Sequence, residues 1–329
     1  MPTTTTKLKV KSSSTRRATA AKNSHAAKSA AWPLRRVAGA QVLKVPSLSR
    51  LTWLVHGFST VAGGASSLDR NRNGQKSAER VLNLGFTEWD TREGVLTNRK
   101  KFYAALGAAK MRVAALKQIH SDLIHVVGHE PFPEGEHALK GDALVTRERG
   151  VLLTVQTADC IPILLADTKN RAVAAIHSGW RGTVQRIAEK TLGRMQMEYG
   201  TRPENVVAAI GPGIGSCCYE VGHEVVQEFA TKFPDAKHWF TGPFDALTNS
   251  DSDPNWLPWL TMRPPGHAPP PPTAFLNLVA ANRAILAAAG VPQKNISSSD
   301  LCTGCRPDLF FSYRKEKTTG RMMAAIGIK

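Results

Sequence analysis

The 329-residue chain is most informative first in what it lacks. No apolar run approaches the roughly 20 residues of a membrane-spanning helix, so no helical membrane span is predicted. Cysteine is scarce, with five residues in all, and an adjacent pair plus a CxxC does not suit a secreted disulfide framework. A reducing cytoplasm is the setting this predicts. There is no Gly-Lys-Ser/Thr after any glycine-rich turn, which removes a Walker-type phosphate loop. Acidic residues are absent from positions 1–45, which hold ten of the 43 Lys and Arg. The formal charge of +17 therefore comes largely from this segment, leaving 33 basic against 26 acidic residues, a net +7, in the rest. Specific nucleic-acid recognition by a folded basic face is not predicted. Residues 1–45, rich in Thr, Ser, Ala and Lys, read as a disordered basic tail, similar in composition to a transit peptide or a polyanion-binding arm. Residues 46–329 read as a single catalytic domain with a Pro-rich insertion loop at 241–272, where four consecutive prolines preclude a regular helix or central strand.

What is present centres on residues 151–182. Three short apolar runs, Val151–Val155, Ile161–Ala166 and Ala172–Ile176, predict buried strands. Cys160 stands at the junction of the first two, and His177 directly follows the third. Elsewhere the pattern predicts strands over 51–55, 112–118, 123–127 and 206–210. Helices are predicted over 98–106, 183–199, 224–233 and 273–289. Taken one by one, a cysteine in an apolar run and a histidine at a strand end are commonly packing residues.

The motifs carry more than the single residues. TADC-IPILLAD followed by A-AIHSGWRGT resembles the core of the YfiH/LACC1 family, once called multicopper polyphenol oxidases and now purine nucleoside phosphorylases. HGFST at 56–60, LNLG at 82–85, KQIHSD at 117–122, GDALVT at 141–146, IGPGIGSCCYEVG at 210–222 and FFSYR with TGR between 310 and 321 agree, in order, over roughly residues 50–329. The resemblance implies an α/β layered sandwich of two facing β-sheets covered by helices, related to cysteine hydrolases.

It also implies a metal centre of His120, Cys160 and His177. Two imidazoles and a thiolate suit Zn²⁺, with a fourth coordination position left open, and would also hold copper. Asp159 is a candidate to orient a ligand or move a proton, and Arg181 to meet an anionic substrate. His56, Gly211, Gly213 and Cys217 are candidate substrate-binding residues. Cys302-Thr-Gly-Cys305, one CxxC without a second, reads as a structural turn. The activity implied is phosphorolysis of purine nucleosides by phosphate, with adenosine deamination beside it. A cysteine-type hydrolase acting on peptidoglycan precursors through Cys160, a copper-dependent polyphenol oxidase, and a polyanion-binding protein working through the tail are the alternatives. Two positions depart from the family pattern. Val61 stands where Arg is usual, which predicts weakened phosphate affinity, and Asn277 stands where Asp is usual.

Overall fold

The computed structural model describes residues 32–72, 75–133, 135–248 and 273–329. Two six-stranded sheets form its body. In the first, the strands run in the order Leu34–Val37, Ala40–Leu43, Leu54–Ser59, Met322–Ile328, Val151–Thr157 and Arg112–Ala114. In the second, they run Ile296–Ser298, Val206–Ile210, Ile161–Asp167, Val173–Ser178, Ala143–Thr146 and Ile124–Val126. Both sheets mix antiparallel and parallel pairs; Val206–Ile210 and Ile296–Ser298 are parallel neighbours. A long hairpin, Ala62–Arg72 with Gln75–Val81, and a small three-stranded sheet complete the β-structure.

Strand Ile161–Asp167 is buried along its whole length, and its alternation explains why every residue but the last is apolar. Leu164 and Ala166 share an apolar cluster with Leu153, Val155, Ala324 and Ile326 of the first sheet. Ile161, Ile163 and Leu165 face the other way, in a cluster with Leu192 and Met195 of helix Ile187–Tyr199 and Ile285 of helix Leu278–Ala288. The opposite face of the first sheet, through Val55, Leu152, Met323 and Ala325, meets Phe102 and Leu106 of helix Arg92–Leu106. Among the described residues, no helix is long and apolar enough to cross a membrane.

Several elements differ from the sequence expectation. Strands Leu34–Val37 and Ala40–Leu43 lie inside the segment read as tail. The first is exposed at every position and contains Arg35 and Arg36, so its pattern carries no burial signal, yet it pairs antiparallel with the second. Residues 1–31 lie outside the described residues, as do 249–272, most of the expected insertion. Strand Phe240–Thr241 and helix Phe244–Thr248 occupy the start of that segment. Helix Arg92–Leu106 starts six residues before the expected 98, capped by the Thr91 side chain, which accepts from Gly94 N at 3.0 Å, a cap typically contributing about 1 kcal/mol. The helix expected over 183–199 is two, Trp180–Val184 and Ile187–Tyr199, divided where Arg186 takes a left-handed φ of 61°. Leu278–Ala288 begins later than the expected 273, because Asn277 caps it by accepting from Ala280 N at 2.9 Å. Asn and Asp cap equally well, which accounts for the tolerance of Asn there.

Candidate metal centre

Residues 158–160 carry the chain from strand Val151–Thr157 of one sheet into Ile161–Asp167 of the other. Asp159 turns this crossing with a φ of 91°, a conformation uncommon for a side-chain-bearing residue. Cys160 follows at the entry to the strand. In the adjacent antiparallel strand His177 pairs with Pro162, which puts the imidazole beside the thiol. His120 comes from the irregular segment between Arg112–Ala114 and Ile124–Val126, and also adopts a left-handed φ, 60°. One ligand atom from each of His120, Cys160 and His177 lies within 4.8 Å of the others. Cys160 Sγ is 3.7 Å from His120 Nε2, and the two imidazoles meet edge to face with centroids 4.9 Å apart.

Asp142, fully buried at the start of Ala143–Thr146, holds this group together. Its Oδ1 accepts from His177 Nδ1 at 2.8 Å and from the His120 backbone N–H at 3.1 Å. Its Oδ2 accepts from Ser121 N at 2.6 Å and Ser121 Oγ at 2.7 Å. With Nδ1–H committed to a carboxylate, His177 presents Nε2 as a ligand, the usual outer support of a metal-binding histidine. Burial pushes the Asp142 carboxyl up, but its bonds to His177 and Ser121 outweigh this and hold it near 2. Burial likewise raises the Cys160 thiol, and the neighbouring His177 and His120 reverse it to about 6. Burial lowers His177, and the Cys160 thiolate with Asp142 brings it up to about 9.

Gly179 lets the chain pass close beside these groups. A Cβ there would lie 2.9 Å from Cys160 Sγ and 3.1 Å from His120 Cδ2. Soft and borderline donors gathered within 4.8 Å and a carboxylate-fixed imidazole together fit a zinc-sized ion. Asp142 and Gly179 both sit in motifs visible in the sequence, GDALVT and HSGWRG. Nothing in one sequence marks a carboxylate for three backbone amides or a glycine for a close approach.

The remaining candidates fall in varied places. Asp159 spends its carboxylate on Thr303 Oγ1 at 2.6 Å and on the Arg314 backbone N–H at 2.7 Å, so it braces the crossing beside Cys160. Arg181 lies with its guanidinium 4.2 Å over the Trp180 ring and 3.7 Å from Glu224, half-exposed. His56 is buried in the first sheet, where Nε2 accepts from Val45 N at 3.0 Å; burial and nearby Lys44 hold it neutral, down to about 3. Gly211 packs against Phe58, whose ring would be 2.2 Å from a Cβ. Gly213 passes over Asp159 and Ile161, and its carbonyl accepts from Thr303 N. Cys217 belongs to a cluster with Cys218, Cys302 and Cys305, which revises the reading of Cys302–Cys305 as a plain turn.

Val61 is 3% exposed, among Leu68, Val81, Leu309, Phe310, Phe311 and Met322. It fills an apolar packing position and brings no charge to an anion. Tyr219 and Arg314 were not singled out from the sequence. Tyr219 feels Cys160, Asp159, Arg181 and Arg314, with burial and the Cys160 thiolate pushing its hydroxyl up. The Arg314 guanidinium sits 5.2 Å over its ring.

Comparison with known proteins shows the family. The family model described as multi-copper polyphenol oxidoreductase laccase matches residues 55–329. The chain is 34% identical over 282 residues to purine nucleoside phosphorylase YlmD of Geobacillus stearothermophilus, covering 84% of this chain and 94% of that one. It is 36% identical over 266 residues to adenosine deaminase RL5 from an unknown prokaryotic organism, covering 79% and 88%. Among solved structures, protein YfiH of Bacillus licheniformis superposes with a TM-score of 0.72 at 30% identity, over 90% of this chain and 99% of that one. The chain belongs to the multi-copper polyphenol oxidoreductase laccase family, the YfiH group whose relatives carry purine nucleoside phosphorylase and adenosine deaminase names.

Proposed function

We propose that this protein is a zinc-dependent purine nucleoside phosphorylase that also deaminates adenosine. The observation that carries the reading is the convergence of His120, Cys160 and His177, with the His177 ring fixed by the Asp142 carboxylate. Phosphorolysis converts a purine nucleoside and phosphate into the free base and ribose 1-phosphate; deamination converts adenosine and water into inosine and ammonia. His120, Cys160 and His177 would hold the ion, which when bound supplies Lewis acidity. Asp142 fixes the His177 ring and the His120 backbone before any ligand arrives. Arg181 and Arg314 supply positive charge for phosphate, and Tyr219 offers a hydroxyl near Cys160. The layered cysteine-hydrolase-like sandwich belongs to the same reading.

The test is to assay adenosine, inosine and guanosine with and without phosphate while quantifying zinc and copper in the same preparation. Phosphate-dependent formation of ribose 1-phosphate, with zinc at the centre, supports the proposal. Oxidation of phenols at stoichiometric copper, with no nucleoside turnover, overturns it.

One observation favours a second reading. Without a metal, Cys160, His177 and Asp142 line up as nucleophile, base and orienting carboxylate, with the thiol brought to about 6. Alkylation separates the two. A cysteine hydrolase is inactivated by iodoacetamide in its metal-free form, with peptidoglycan fragments as substrates.

A further inference from the structure

We infer that Cys217, Cys218, Cys302 and Cys305 form a second metal site, a closed tetrathiolate that holds a structural zinc ion. Two parallel neighbouring strands, Val206–Ile210 and Ile296–Ser298, end at the same edge of their sheet. The turn after the first carries Cys217 and Cys218, and the turn after the second carries Cys302 and Cys305. All four sulfur atoms lie within 4.8 Å of one another. Cys217 Sγ is 3.3 Å and Cys218 Sγ 3.5 Å from Cys305 Sγ. These separations are far beyond the roughly 2.05 Å of a disulfide. They lie close to the roughly 3.8 Å between sulfurs in a tetrahedron with 2.3 Å zinc–sulfur bonds.

The surroundings are those of a built site. The Gly215 N–H donates to Cys302 Sγ at 3.1 Å, a bond that favours a thiolate. Side chains are missing where they would crowd the sulfurs. A Cβ on Gly215 would lie 3.3 Å from Cys217 Sγ, and one on Gly304 3.0 Å from Cys218 Sγ. Four soft donors with no oxygen select zinc over magnesium or calcium, and four protein ligands leave no position for substrate.

The site has a mechanical role. Thr303, between the two ligands of the second turn, donates its N–H to Gly213 O at 3.0 Å and its hydroxyl to Asp159 Oδ1 at 2.6 Å. Ile214 N donates to Asp159 O at 2.8 Å. An ion joining the two turns therefore fastens the bonds that hold Asp159 next to Cys160.

Metal analysis of the full chain, purified under reducing conditions, tests this. The expected result is two zinc ions per chain. Cys302→Ser with Cys305→Ser should leave one, and Cys160→Ala should also leave one. Cobalt replaced into the Cys160→Ala protein should then show the strong thiolate-to-metal absorption of a four-sulfur site. If the double serine variant fails to fold, Cys305→His, which keeps a zinc-binding donor set, should restore both folding and the second ion. One zinc per chain in the wild type, with all four thiols open to alkylation in the folded protein, would overturn the proposal. Disulfides linking the two turns in freshly reduced, metal-replete protein would overturn it equally.

Discussion

The His120–Cys160–His177 group and the four-cysteine cluster are two answers to the same problem of gathering ligands from distant parts of a chain. Both use strand ends, and Asp159 lies between them, one residue from Cys160 and hydrogen-bonded to Thr303. They differ in what surrounds the ligands. The first has three mixed donors and an outer carboxylate, and the chain passes close beside it at Gly179. The second has four sulfurs, with Gly215 and Gly304 allowing a close approach and Cys217 and Cys305 exposed. Three protein ligands leave a coordination position for chemistry, and four suit support.

The comparison breaks most sharply at Cys160. Cys160→Ala should abolish nucleoside turnover and remove one zinc ion, leaving the fold intact by circular dichroism; full zinc with lost activity would favour a nucleophilic role. Asp142→Asn should come next. It keeps the shape but loses the charge that fixes His177, so zinc affinity should weaken about 10–100-fold in competition with a chelator. Gly179→Ala tests the close approach of the chain, since its methyl group must displace Cys160 Sγ or the His120 ring. Turnover should fall about tenfold or more while the melting temperature changes little, because a displacement near 1 Å at a reacting site is costly in rate.

His56 sharpens the contrast as a histidine outside both groups. Its folded value of about 3 lies below the ordinary 6.5, so the unfolded chain binds the extra proton between those limits. The stability it supports is whole above about pH 6.5, is lost as pH falls toward 3, and changes no further below. The slope is at most about 1.4 kcal/mol per pH unit. His56→Gln should flatten the pH dependence of urea midpoints across that window. The smallest effect belongs to Asn277→Asp, which exchanges one good cap for another and should move stability by less than about 0.5 kcal/mol.

The sequence showed the strands of the second sheet well, because Ile161–Asp167 and Val173–Ser178 are buried on both faces and read as unbroken apolar runs. Leu34–Val37 was hidden for the opposite reason, being an exposed edge. The grouping of His120, Cys160 and His177 was suggested only by family motifs, since gaps of 40 and 17 residues say nothing about proximity. The four-cysteine cluster escaped because a parallel strand pair joins turns about 85 residues apart. A single CxxC looked alone when its partner was the unlikely-looking pair Cys217–Cys218. Val61 was read from its motif alone; its place in an apolar cluster with Phe310 and Phe311 comes from neighbours far along the chain.

The Asp142 carboxylate, gripped by the amides of Ile119, His120 and Ser121 as well as by His177, has one more consequence. Two of the three candidate donors are tied to one carboxylate, so an ion held there would meet a donor set whose spacing is largely fixed in advance. Intrinsic affinity alone would favour copper over zinc, and a fixed spacing is the kind of geometric constraint by which a site can work against that order.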